Sequence, residues 1–358
     1  MKVLMLAPLW YPISRDAPGG IETFLYRLVG ALQARGCQVT LLACGNSSTP
    51  AELLPVVERG LYEQMSEGTA GEYVYYEQHQ LGIALSIAAG FEVVHSHIGP
   101  GAYILDQVPS INVPVLHTVH LPVYRDIEWY ANMHPSTHLA TVSEQQAAKL
   151  RQAGALHCAV VPNGIEPSDF TFNVHPTTGL VFLGRIEAAK GPDLAVAVAR
   201  SLGLPLTLAG PIVDSIFFAD HIEPFLGVDI TYAGVVDHST KNRLLGNAAC
   251  AILPFRQAEA FGMVSIEAMA CGTPVVALPN GALPEIVEPG VTGYLAPDER
   301  SLEALTLQAI SLDRGAVRER AVNRFGIDRT ADQYIALYRT LHAQHQNGPP
   351  DKSPIGDI

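Results

Sequence analysis

Two stretches of this chain open in the same way, and that recurrence constrains the fold more than any other feature. Residues 2–7 form an apolar run of strand length, residues 8–18 form a loop, and Gly19 and Gly20 deliver the chain to a helix over residues 21–35. The apolar face of that helix, Phe24, Leu25, Leu28 and Leu32, has the three-and-four spacing of a packed helix. Gly36 stops it, and residues 38–43 read as the next strand. In the second half the pattern restarts: residues 180–183 form a strand, GRIEAAKG follows, and a helix begins near Pro192, a favoured first-turn residue. A chain of 358 residues is too long for one comfortable core. The expected fold class is therefore α/β, with two doubly wound Rossmann-like domains facing across a cleft. The turn at Pro162, Asn163 and Gly164 and the polar, proline-flanked stretch 165–178 mark a boundary, giving a first domain over 1–165 and a second over 166–328.

Residues 256–278, RQAEAFGMVSIEAMACGTPVVAL, carry the densest chemistry. Glu259 and Glu267 are separated by seven residues. A helix is expected to start near Phe261 or Gly262 and to end at Gly272, with a short buried strand over 275–278. The unpaired backbone N–H groups of Gly262, Met263 and Val264 at such a helix start suit a phosphate. A carboxylate on each side can grip neutral hydroxyls. Arg185 and Lys190 lie five positions apart at the end of a strand, where a forked guanidinium and an ammonium meet a diphosphate. An anion flanked by hydroxyls describes a nucleotide-sugar.

Composition excludes other classes. With 22 basic against 35 acidic side chains the net charge is -13, which argues against nucleic acid as a partner. The five cysteines lack C-x-x-C spacing and read as buried thiols of a reducing compartment. Residues 1–8 read as a first strand rather than a signal peptide, and no uncharged run reaches bilayer length, so a cytoplasmic protein is expected, with a peripheral membrane contact left open. The H-x-H pair His95 and His97 has no further metal ligand close in sequence, and no D-x-D is present, so neither a metal nor another cofactor is expected.

The setting AEAFGMVSIEAMACGTPVVA resembles the donor-site signature of the retaining glycosyltransferases of family GT4, which have the GT-B fold. GRIEAAKG resembles the same family's phosphate-binding step, and VPVLHTVH resembles the strand that brings an active-site histidine close to the transferred sugar. The resemblance implies that His120 and Glu259 act at the sugar, that Arg185 and Lys190 bind the phosphates, and that Glu267 holds the ribose. It implies further that Val235 and Val236 read the nucleobase edge through their backbone; Gly19 and Gly20, read from the residues, form either a loop tip close to the donor's phosphate or sugar or a simple helix-entry turn. It also implies that the last helix, 329–345, crosses back to the first domain. The tail 346–358 is low in apolar content and is expected to be disordered.

The implied function is transfer of a hexose-type sugar from a nucleotide diphosphate sugar, UDP-linked before GDP-mannose, to an acceptor hydroxyl. Configuration would be retained, no metal would be needed, and the leaving diphosphate would assist attack on the same face. The acceptor is left open among a sugar, a glycan, a lipid-linked molecule and a small molecule. Two other readings remain: a nucleotide-sugar epimerase or hydrolase on the same fold, and a catalytically idle binding subunit. Residues 47–82 resist assignment, and residues 121–134 read as an aromatic loop in which Tyr124, Trp129 and Tyr130 form either an acceptor wall or a private core.

Overall fold

The computed structural model describes residues 1–177 and 179–348. Contacts divide the chain into two units, Met1–Gly164 with the segment from Ile327 onward, and Ile165–Gly326. The first unit runs β1 (Lys2–Leu6), α1 (Gly20–Ala34), β2 (Gln38–Cys44), β3 (Glu52–Val57), α2 (Leu61–Ser66), α3 (Tyr73–Ile87), β4 (Val93–Ser96), β5 (Val115–Val119), α4 (Arg125–Met133), β6 (His138–Thr141), α5 (Glu144–Ala153) and β7 (His157–Val160). Its parallel sheet has the order β3-β2-β1-β4-β5-β6-β7. The chain therefore winds outward from β1, returns, and winds the other way from β4. Both faces are covered, so β1 is apolar and buried from Val3 to Leu6 rather than alternating. Val3 and Met5 join Phe24, Leu25 and Leu28 on one face, while Leu4 and Leu6 join Leu81 and Ala84 on the other.

The second unit runs β8 (Leu180–Leu183), α6 (Pro192–Leu202), β9 (Leu206–Ala209), α7 (Ser215–His221), β10 (Ile230–Tyr232), α8 (His238–Asn247), β11 (Cys250–Leu253), α9 (Met263–Ala270), β12 (Val275–Ala277), α10 (Leu283–Ile286), β13 (Gly293–Leu295), α11 (Leu302–Ile310) and α12 (Arg314–Phe325). Its parallel sheet repeats the winding as β10-β9-β8-β11-β12-β13. The last helix, α13 (Ile327–Gln346), belongs to the first unit and buries Ala331, Tyr334 and Tyr338 in the same core as α1. Arg35, just past the end of α1, pairs with Asp328 at 2.8 Å and with Asp332 at 2.6 Å.

Three stretches differ from the sequence reading. Residues 47–82, which resisted assignment, hold β3, α2 and the start of α3. Their signal is faint because β3 is an edge strand carrying Pro55, and because α3 buries Gln80, whose Nε2 donates to the carbonyls of Ala7 at 2.9 Å and Leu42 at 3.0 Å. Residues 121–134 are not a loop throughout, because α4 occupies Arg125–Met133, with Asp126 and Glu128 favouring its first turn. Residues 214–226 read from sequence as one helix, but the helix is interrupted. It runs only over Ser215–His221, and a 3-10 turn at Glu223–Phe225 contains Pro224, which cannot donate to a continuing helix. The linker residue Thr178 and tail residues 349–358 lie outside the described residues.

Candidate functional site

In each sheet the winding reverses between two central strands, and the carboxyl ends of those strands are where sheets of this kind place a ligand. In the second unit those strands are β8 and β11. Arg185 and Lys190 follow β8, and Phe255, Arg256 and Glu259 follow β11. The two loops are docked on each other. The Arg256 N–H donates to the Ala189 carbonyl at 2.9 Å, and its guanidinium grips Asp193 through two hydrogen bonds of 2.7 Å. Gly191, at φ +66°, lies so close that a Cβ would come within 2.4 Å of the Pro254 carbonyl oxygen. That docking carries Lys190 onto Glu259, to which its ammonium donates, and places it over the Phe255 ring at 4.4 Å.

The start of α9 separates Glu259 from Glu267. Gly262 caps it in the left-handed region at φ +101°, and Met263 and Val264 head the helix, half-buried. Phe261 is turned inward, edge-on to Phe325 at 5.9 Å, so only its backbone is available to a ligand. Glu267 is 7% exposed and accepts a 2.7 Å bond from Lys241 of α8. Glu259 and Glu267 are thus each matched to a lysine, one on either side of the helix start. Arg185 stands apart from both pairs, 2.9 Å from Glu187. Val235 is exposed beyond β10 after the left-handed Gly234, and Val236 is half-buried. Sequence reasoning missed Lys241 and Gly281. Lys241 lies on a polar helix with no local pattern to distinguish it, whereas Gly281, in its NG step, offered a turn signal but not its contact with Glu259.

In the first unit the winding reverses between β1 and β4. Gly19 is the N-cap of α1 and Gly20 its first residue. The Glu22 side chain folds back beneath Gly19, where a Cβ would come within 1.9 Å of Oε2. Burial pushes the Glu22 carboxyl up to about 6. His120 follows β5, edge-on to Phe24 of α1 at 5.7 Å, and its Nε2 lies 2.8 Å from Nδ1 of His97. Burial pushes His120 down to about 4 and His97 well below the ordinary histidine value. His95 is held by the Tyr338 hydroxyl at 2.6 Å and the Thr118 hydroxyl at 2.7 Å, so the last helix reaches the end of β4. His117 is buried and lies 3.2 Å from Asp106.

The aromatic segment divides. Tyr130 stacks on Tyr103 at 4.5 Å and donates to its carbonyl, whereas Tyr124 and Trp129 remain exposed. A hollow of about 760 Å³ opens elsewhere in the first unit, between β3, α2 and α3, and holds none of the predicted site residues. Among the described residues no group of three or more His, Cys, Asp or Glu side chains is placed to hold a metal ion, and no helix is long and apolar enough to cross a membrane.

The family comparison follows these two units. Residues 18–169 match the model described as Glycosyltransferase Family 4, and residues 173–323 match Glycosyl transferases group 1. The chain belongs to this glycosyltransferase family. It is 28% identical to a D-inositol 3-phosphate glycosyltransferase of Actinosynnema mirum, over 93% of this chain and 94% of that protein. AviGT4, a glycosyltransferase involved in avilamycin A biosynthesis, superposes with a TM-score of 0.72 at 26% identity, covering 96% of this chain and 98% of that one. HepE of Anabaena, solved with UDP-glucose, superposes with a TM-score of 0.71 at 15% identity over 95% of this chain and 100% of that one, a likeness of fold. The fold is GT-B and the protein is a glycosyltransferase.

Proposed function

We propose that this glycosyltransferase moves a hexose from a UDP-sugar to an acceptor hydroxyl with retention of configuration and without a metal. The observation that carries the reading is the pair of lysine–glutamate contacts, Lys190 with Glu259 and Lys241 with Glu267, on either side of the Gly262-capped start of α9. When a donor enters, its diphosphate takes Lys190 and the free N–H groups of the helix start, and Arg185 moves from Glu187 to the same phosphates. These groups meet charge that grows as the leaving group departs, so they lower the barrier rather than merely tightening binding. Glu259, released from Lys190, accepts from hydroxyls of the sugar. Glu267 accepts from the ribose hydroxyls, and Val235 and Val236 offer backbone to the base.

Glu259 and Glu267 are both assigned to hydroxyls, so neither is left to act as a nucleophile, which favours a same-face route in which the leaving phosphate takes the acceptor proton. The UDP preference leans on HepE, a neighbour in fold that was solved with UDP-glucose. A thermal-shift panel of UDP, GDP, ADP and their sugars tests the donor, with UDP expected to give the largest rise. NMR of the product then reads the anomeric configuration, and an inverted product defeats the mechanism. Loss of transfer in EDTA that returns with a divalent cation defeats metal independence.

A further inference from the structure

His97 and His120 form a closed pair whose hydrogen count has to be settled somewhere. Their facing nitrogens, Nδ1 of His97 and Nε2 of His120, are 2.8 Å apart, and the rings are stacked with centroids at 5.1 Å. Both rings are neutral near neutral pH, because burial disfavours their charged forms. A neutral imidazole carries one hydrogen, so only one of the two facing nitrogens bears it. The outer nitrogens, Nε2 of His97 and Nδ1 of His120, are both buried and have no hydrogen-bond partner among the described residues. Whichever ring accepts across the pair must carry its own hydrogen on its outer nitrogen, as an unpaired N–H.

The two rings are not equally able to bear that cost. His97 is 3% exposed and lies against His95 with centroids 3.9 Å apart. His95 offers no help, since both its nitrogens are taken by the Tyr338 and Thr118 hydroxyls, and Thr118 lies 3.1 Å from the Tyr334 hydroxyl. His120 is less enclosed and stands past the end of β5. An unpaired buried N–H is costly, and it costs most where nothing can enter to relieve it. We propose that His97 is a positioning residue, protonated on Nδ1, that donates to His120 Nε2 and holds His120 in the Nδ1–H tautomer. His120 then presents a donor whose missing partner is an oxygen of a bound ligand. On the reading that His120 serves the transfer site, on which this last step rests, that oxygen belongs to a sugar hydroxyl or a donor phosphate.

Long-range proton–nitrogen NMR of the full chain, labelled with nitrogen-15 histidine, reads the tautomers directly. His97→Asn keeps an N–H close to the position of Nδ1, and His97→Leu removes it. The expected result is Nδ1–H at His120 in the parent and in His97→Asn, and loss of that pure tautomer in His97→Leu. Transfer from the donor that gave the largest thermal shift should fall on the order of ten- to a hundredfold in His97→Leu, through kcat more than KM, and recover in His97→Asn. An Nε2–H signal at His120 in the parent overturns the proposal, as does a His97→Leu variant whose His120 signals are unchanged. Full transfer by His120→Ala overturns the functional reading of His120 instead, and the tautomer measurement distinguishes the two failures.

Discussion

Gly281 lies against Glu259 so closely that a Cβ would come within 2.1 Å of the Glu259 carbonyl oxygen and 2.3 Å of its nitrogen. The two residues form an isolated parallel bridge, and the Ala282 N–H donates to the Glu259 carbonyl at 2.9 Å. The backbone that carries Glu259 is thus held from behind by a residue that must lack a side chain and must adopt φ +64°. Gly281→Ala is expected to cost about 1–3 kcal/mol and to lower turnover by moving Glu259. Gly290→Ala is the control, because it has φ +76° but only the Tyr294 hydroxyl at 4.0 Å nearby. Equal melting temperatures for the two variants would mean that the close approach contributes nothing.

Lys190 leads to a second expectation. In Lys190→Met the phosphates lose their ammonium while the loop stays docked through Arg256 and Asp193. Turnover of the nucleotide-sugar should fall by about 10²-fold or more. Stability should change by less than about 1 kcal/mol, the usual scale for a partly exposed ion pair. Lys241→Met is expected to act differently, leaving the enclosed Glu267 without its counter-charge and reducing the UDP-induced rise in melting temperature. A Lys190→Met enzyme with parental turnover would remove the phosphate assignment.

The elements that sequence revealed are those whose signal is local. The Gly262 cap, the Gly272 stop and Pro192 at the head of α6 each act within one turn of chain, and the two windings follow from apolar strands alternating with amphipathic helices. The partners of the site residues are not local. Lys241 meets Glu267 across two elements, and Gly281 meets Glu259 through a bridge after β12. His97 showed itself only as half of an H-x-H pair, since its contact with His120 depends on β4 lying beside β5. Residues 47–82 stayed opaque because Gln80 occupies a core position, so the apolar pattern of α3 is broken where it matters most.

Arg314 carries a prediction about stability. It is 9% exposed, pairs with no carboxylate among the described residues, and donates to the carbonyls of Asn173, Ala248 and Gly246 and to the Thr273 hydroxyl, at 2.7 to 2.8 Å. Burial lowers its pKa, and the acceptors compensate for lost hydration. Arg314→Leu strands those acceptors and should cost about 3 kcal/mol or more in urea unfolding of the full chain. Arg314→Lys should recover little, because a single ammonium cannot span the set. A leucine variant with the parental urea midpoint would show the network to be dispensable.

Stability should also depend on pH with two opposing signs. His120 and His138 are pushed down to about 4 by burial, and His95 and His97 lie well below the ordinary value for the same leading reason. A histidine whose folded pKa is depressed favours the fold fully above the unfolded value near 6.5 and loses that contribution as pH falls through the folded value. Glu22 is displaced upward to about 6 from 4.5, so its contribution is complete below 4.5 and is lost as pH rises through 6. Four histidines outweigh one glutamate, and the melting temperature should fall steadily as pH drops from about 6.5 to about 4. Glu22→Gln isolates the opposing group, since it removes a carboxylate that burial disfavours. The variant should melt higher than the parent near pH 7.5, by the equivalent of about 2 kcal/mol at most, and should match it near pH 4. A stabilisation that is the same at both pH values would come from packing and not from the charge.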